Sequence, residues 1–162
     1  MTSALSVDVE NEFADLLEEA TLLARALDQM DGASASADEA LVWVIISGLA
    51  AGCEKIYSGC ERVMGLLATR LDGEAVVKTD SWHSVLLNRM ARPFPGVRDA
   101  IISGECRDAL DRFRAFRHRV RSSYGLHLDP DIVMERAREL GPTLGAFHQE
   151  VVAFLAPRID PS

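Results

Sequence analysis

The chain has 162 residues, a formal net charge of −8, 48% hydrophobic and 26% charged residues, and only 6% aromatics. That length suits one domain with a true core, and the composition excludes a disordered or collagen-like chain. Abundant Leu and Ala with few aromatics favour helices over a β-sandwich.

The first eight residues read as a loose start. Over 9–30 the apolar positions Val9, Phe13, Leu16, Leu17, Ala20, Leu23, Leu27 and Met30 keep a helical period. Glu10, Glu12, Asp15, Glu18 and Glu19 make much of the remaining surface acidic, either solvated or in contact with the arginine-rich helix further on. A flexible turn, Asp31-Gly32-Ala33-Ser34-Ala35-Ser36, comes next, and Ser36 or Asp38 can cap the second helix, expected over 39–71. Its first half, with Leu41, Val42, Trp43, Val44, Ile45, Ile46 and Leu49, is apolar nearly all round, as in a central helix or one that meets a second subunit. Its second half is amphipathic, with Ile56, Tyr57, Cys60, Val63, Met64 and Leu67 expected inward and Glu54, Lys55, Glu61 and Arg62 outward. The longest uncharged run, 40–53, has 14 residues and is too short to span a bilayer, so no membrane partner is expected. Gly73 marks the stop.

A short helix is expected over 81–91, burying Trp82, Val85, Leu86 and Met90, with His83 packed and hydrogen-bonded inside the fold. Arg92-Pro93-Phe94-Pro95-Gly96 ends it, and Ser103 can cap the next, arginine-rich helix. Asp129-Pro130 begins another helix, to about residue 140; Gly141-Pro142 is expected to kink or split it before a last segment over 143–155. His148 reads as a surface residue. No strand-like alternation, Gly-rich phosphate loop, zinc-type cluster or clear repeat is present, so neither metal nor cofactor is expected. The expected fold is all-α, an up-and-down bundle of four main helices plus one short helix in a single domain, 1–162. Cys53, Cys60 and Cys106 are an odd set without a signal-peptide pattern, which suits a reducing cytoplasm; Cys53 and Cys60, seven apart, share a helix face as structural thiols.

Charge is concentrated over 107–124. Six arginines (107, 112, 114, 117, 119 and 121) stand there against Asp108 and Asp111, a local +4 in a chain of −8, leaving −12 elsewhere. At about 100° per residue, Phe113, Phe116, Val120 and Tyr124 form one apolar stripe; Arg117 falls about 40° and Tyr124 about 20° from Phe113. Arg117, Arg121 and Tyr124 therefore share a face, with Arg114 beside it. Such a helix can be a surface element whose arginines snorkel round a core stripe, or it can present a cleft lined by Tyr124 to a polyanion, a phosphate or an acidic partner surface.

The order of these segments, ERVMGLLATRLDG, then SWHSVLLNRM, then RFRAFRHRVRSSYGLHLD, resembles the HepT-like branch of the HEPN superfamily over about 40–155. The resemblance implies a dimerising helical bundle that acts as a metal-independent ribonuclease toxin. It also implies neutralisation by a small nucleotidyltransferase antitoxin, in some systems by adenylylating a tyrosine. The family motif is an Arg, four residues, a His, one residue and a Tyr. Arg117 and Tyr124 take the outer places, and the His place falls on Ser122. Cleavage without a metal needs a base for the 2′-hydroxyl proton and a cation for the phosphate; Arg suits the second role, and a serine lacks the basicity for the first. The resemblance thus implies Arg117, His118, Arg121 and Ser122 as catalytic positions, Arg114, Arg117 and Arg121 as RNA contacts, and Tyr124 as the modification site; by its place at the end of the apolar stripe Tyr124 can equally be a core tyrosine with its hydroxyl at the rim. His118, one turn before Ser122, and His127, three residues past Tyr124, are the histidines that could substitute; the plainer reading of each is a structural or surface residue. The alternative function is a catalytically inactive helical dimer that binds a partner.

Overall fold

The computed structural model describes residues 3–33, 37–122 and 128–156. It consists of α1 (Ala4–Asp31), α2 (Glu39–Leu71), α3 (Trp82–Met90), α4 (Gly104–Ser122) and α5 (Pro130–Leu155). Among the described residues there is no strand, only a single antiparallel bridge between Phe94 and Arg98. The all-α bundle expected from the sequence is what the chain forms.

The central element is α2, which packs against each of the other four helices. Asp38 caps it through the Ala40 amide at 2.9 Å, and Gly73, at φ 71°, lies just past its C-cap at Asp72. From Ile46 to Ala68 its inward face is buried; Leu49, Ile56, Tyr57, Met64 and Leu67 are among the largest enclosed side chains. By length and composition α2 is apolar enough to cross a membrane, but that buried face is continuous with the core built by Phe13, Leu86, Leu110, Phe113 and Phe147 from the other helices. It is the core helix of this bundle.

Several expectations are corrected. The first helix starts at Ala4, not Val9, because Ser3 caps it through the Ser6 amide at 3.1 Å. The first half of α2 is not enclosed all round: Leu41, Trp43 and Val44 are exposed, Trp43 to 66%, and only Ile46 and Leu49 of that group are buried. Leu41, Val44, Gly48 and Ala51 lie at helical spacing along one outward stripe. Leu17 and Val85, expected inside, are also exposed. Finally, α5 runs unbroken through Pro142. Its ring is exposed, and the carbonyl it deprives of a donor belongs to Arg138, whose side chain is half in water, so solvent can serve.

The acids of α1 do not reach α4. Glu12 pairs with Arg62 at 3.2 Å, Asp8 with Arg70 at 3.5 Å and Glu19 with Lys55, all on α2. Two polar anchors place α3 and α4 instead, the first enclosed and the second at the surface. The Asp72 carboxylate, fully enclosed, accepts from Arg98 Nε at 2.5 Å and Nη2 at 2.9 Å, which ties the 92–103 connector to the end of α2. The Glu150 carboxylate of α5 accepts from the Ser103 amide at 2.6 Å and hydroxyl at 2.8 Å, while Ser103 Oγ caps α4 through the Cys106 amide at 3.1 Å. His148 is half-buried rather than a plain surface residue: its ring centroid lies 4.4 Å from that of Phe13, and Nε2 is 3.3 Å from Glu10.

Helices α1 and α2 approach closely at Gly59, where an added Cβ would meet Leu16 Cδ2 at 2.2 Å and Cγ at 3.1 Å; at Gly145 of α5 a Cβ meets nothing within 4 Å. Gly145→Ala should therefore stabilise by roughly 0.5–1 kcal/mol through helix propensity. Gly59→Ala should lose about 1–3 kcal/mol to overpacking, because Leu16 is itself enclosed. Urea unfolding of the two variants measures the difference.

All three cysteines are buried and free. Burial pushes each thiol from its ordinary value of 9.0 up to about 12. Below about pH 9 folded and unfolded chains both hold these protons, so the thiols contribute no slope there. Between about 9 and 12 the unfolded chain releases protons that the folded one keeps, so stability should fall as pH rises through that window. Unfolding free energies should show this loss, and show it reduced in Cys60→Ala.

Candidate active site

The Arg-rich helix reads in sequence as a band of positive charge. The structure gives most of these arginines a carboxylate. Arg107 pairs with Asp108 at 2.6 Å, Arg112 with Glu139 at 3.5 Å, Arg114 with Asp111 at 2.6 Å, Arg117 with Glu61 at 2.6 Å, and Arg121 with Glu54. The excess positive charge of α4 is answered by carboxylates from α2 and α5.

These pairs are not equivalent. Arg121 is 58% exposed. Such a pair is worth about 0–1 kcal/mol and exchanges partners readily. Arg117 is the edge residue of the apolar stripe, and its side chain is only 12% exposed against a Glu61 that is 5% exposed. Glu61, expected to face water, is thus one of the buried polar residues of the bundle. It lies inside because it has two partners: Oε2 accepts from Arg117 Nη1 at 2.6 Å and Oε1 from His83 Nδ1 at 2.7 Å. One carboxylate joins α2, α3 and α4.

His83 does hydrogen-bond within the fold, as expected, but it is also accessible, at 41%. Its ring is set edge-on to Trp82 with centroids 4.7 Å apart. Trp82 is fixed in turn by Nε1 donating to the Val76 carbonyl at 3.1 Å and by Lys78 Nζ, 5.6 Å from its ring centroid.

Two cavities open beside this triad. The smaller, about 210 Å³, is bounded by Asp80, His83, Arg114, Arg117, His118 and Arg121. The larger, about 670 Å³, includes Glu61, Lys78, Trp82, His83, Arg117 and Arg121. His83, Arg117 and Arg121 border both. The structure therefore brings Arg114, Arg117, His118 and Arg121 to one concave surface, and adds His83 and Glu61, which the helical pattern of 107–124 does not reveal. Ser122 is not in that group: it is exposed, borders neither cavity, and its hydroxyl donates to the Arg119 carbonyl at 3.1 Å. Tyr124 and His127 lie outside the described residues. Beneath the site, the Tyr57 hydroxyl is buried with no hydrogen-bond partner among the described residues, and burial, followed by Glu61, pushes its pKa above the ordinary 10.0. No cluster of three or more His, Cys, Asp or Glu suited to a metal occurs among the described residues.

A helical bundle with one arginine locked over a concave, arginine-lined surface is the setting in which the likeness to known families acquires meaning. The family model for HepT-like proteins matches residues 48–157, more than half of the chain, which covers α2 beyond its exposed start and everything through α5. The chain belongs to the HepT-like family of the HEPN superfamily. No curated protein and no solved structure gives a significant match.

Removing Glu61 leaves Arg117 as a buried cation without its partner. Glu61→Ala should therefore cost about 3–5 kcal/mol. Glu54→Ala, which frees only exposed Arg121, should cost about 0–1 kcal/mol. Thermal unfolding separates the two.

Proposed function

We propose that this protein is a HepT-like toxin acting as a metal-independent endoribonuclease on RNA. The observation that carries the reading is Arg117, nearly enclosed, hydrogen-bonded through one nitrogen to Glu61 and bordering both cavities. A guanidinium carries five N–H donors on three nitrogens, so the nitrogens not engaged by Glu61 can address the equatorial oxygens of a phosphodiester as it becomes pentacovalent. Because Glu61 fixes the guanidinium before substrate arrives, it needs little reorganisation at the moment of reaction. Exposed Arg121, with Arg114 beside it, supplies longer-range attraction to the RNA backbone by exchanging carboxylate partners for phosphates.

The neutralising partner in this reading is a nucleotidyltransferase antitoxin, with Tyr124 as the residue it adenylylates. Attaching AMP to the phenol places a phosphate and a nucleoside close in sequence to Arg117 and Arg121, which suits a switch by occupation of the anion site. The stripe of Leu41, Val44, Gly48 and Ala51 supports a homodimer, since apolar residues at helical spacing are left uncovered in the single chain. The free, buried thiols support a reducing, cytoplasmic setting.

The second reading, a partner-binding HEPN dimer without catalysis, is favoured by one observation: Ser122, at the motif's histidine place, is turned to its own helix backbone. Protein purified without a partner decides between them. Wild type should cleave RNA with no added metal and in the presence of a chelator, and Arg117→Ala should lose about 10²–10³ of the rate. Ser122→His should cleave no faster than a few-fold over wild type. Cleavage by Ser122→His alone, with wild type inert, would establish the non-catalytic reading. Val44→Asp should convert the dimer to a monomer in light scattering at micromolar concentration.

A further inference from the structure

With Ser122 unable to accept a proton, an endoribonuclease at this site needs another base. We propose that His83, held by Glu61, is the group that takes the proton of the ribose 2′-hydroxyl. This inference rests on the endoribonuclease reading above and names the residue that completes it.

Three features of His83 support the assignment. The first is orientation. A carboxylate oxygen 2.7 Å from Nδ1 accepts a hydrogen bond, so Nδ1 carries the proton and the lone pair of the neutral ring is on Nε2. Nε2 makes no hydrogen bond among the described residues, and the ring is 41% exposed at the border of both cavities. The second is its relation to the cation. Arg117 and His83 bind opposite oxygens of one carboxylate, so the phosphate-binding group and the proton acceptor are set at a fixed separation by a residue that is itself buried. The third is rigidity: the edge-on contact with Trp82 and the Glu61 hydrogen bond at Nδ1 together restrain the imidazole.

The other histidines lack these features. His118 is exposed and no hydrogen bond orients its ring among the described residues. His148 faces Glu10 and Phe13 on the α1 side of the bundle.

The step balances without a cofactor. Nε2 takes the 2′-hydroxyl proton, and the 2′-oxygen forms a bond to the adjacent phosphorus. The bond from phosphorus to the departing 5′-oxygen breaks, and that oxygen takes a proton from water. The hydroxide so formed receives the proton held on His83. The products are a 2′,3′-cyclic phosphate and a 5′-hydroxyl end. Glu61 does not touch substrate; it is a positioning residue that fixes the ring and keeps the Nδ1 proton in place.

The test uses the full chain, total cellular RNA and three variants. His83→Gln keeps an amide donor for Glu61 but has no proton acceptor of comparable basicity, so it should melt like wild type and cleave about 10²–10⁴-fold more slowly. His83→Ala should lose cleavage similarly and regain a measurable part of it on addition of free imidazole, a rescue that a packing role would not give. Arg117→Ala, which keeps His83, should lose cleavage with no response to imidazole. If wild type cleaves, Arg117→Ala does not, and both His83 variants cleave like wild type, the inference fails while the endoribonuclease reading stands. Loss in the His83 variants that imidazole does not restore makes His83 a packing residue and also overturns it. If wild type leaves RNA intact, the underlying reading fails and this one with it.

Discussion

The buried carboxylate of Glu61 is the interaction on which the rest of this structure depends. An ionised side chain is costly to enclose unless every oxygen finds a donor. Here the donors come from two other helices, Arg117 on α4 and His83 on α3, so the cost is met only when all three elements are assembled. The same hydrogen bonds that make the bundle specific therefore fix a cation and an imidazole at the edge of a concave surface. In the proposed reading, stability and chemistry meet in one residue. The neighbouring pair of Arg121 and Glu54 has the same charges but is largely in water, and it can be remade around a ligand.

Much of the fold was legible because helical period and end signals agree. The bounds of α2 are marked by Asp38 before its first turn and Gly73 after its last, and α5 begins at its Asp129-Pro130 signal. What was not legible has local causes. The first turn of α1 carries little apolar pattern, so only the Ser3 cap shows where it begins. Pro142 reads as a break in sequence, yet a proline on the solvent side costs a helix less than one facing the core, where the orphaned carbonyl would stay dry. The apolar start of α2 leaves two settings open, because an enclosed helix and one that saves a face for a second subunit have the same composition.

The site was legible on α4 and not beyond it. The offset of about 40° that put Arg117 at the edge of the stripe corresponds to a largely enclosed side chain. Its partner was misplaced because a glutamate in an amphipathic helix ordinarily belongs outside, and the residues that draw it inward are 22 and 56 positions away in the chain. Nothing in the spacing of one helix encodes that meeting. The signal that could have found it is the combination itself: a glutamate flanked by Cys60 and Val63 on the inward side, a histidine beside a tryptophan on a short helix, and an arginine at the edge of an aromatic stripe. Each has a bland meaning alone; together they are the donors and the acceptor of one buried network.

The HepT-like family membership gives this bundle its class, and the geometry indicates where its chemistry would be done. The most direct measurement of that account is side-chain nuclear magnetic resonance of the arginine guanidinium and histidine imidazole groups during titration with a short 2′-O-methyl RNA oligonucleotide, which occupies a cleavage site without being cut. The account predicts that the signals of Arg117 and His83 move together and saturate with the same affinity. Saturable changes confined to exposed arginines such as Arg112, with Arg117 and His83 unmoved, would contradict it.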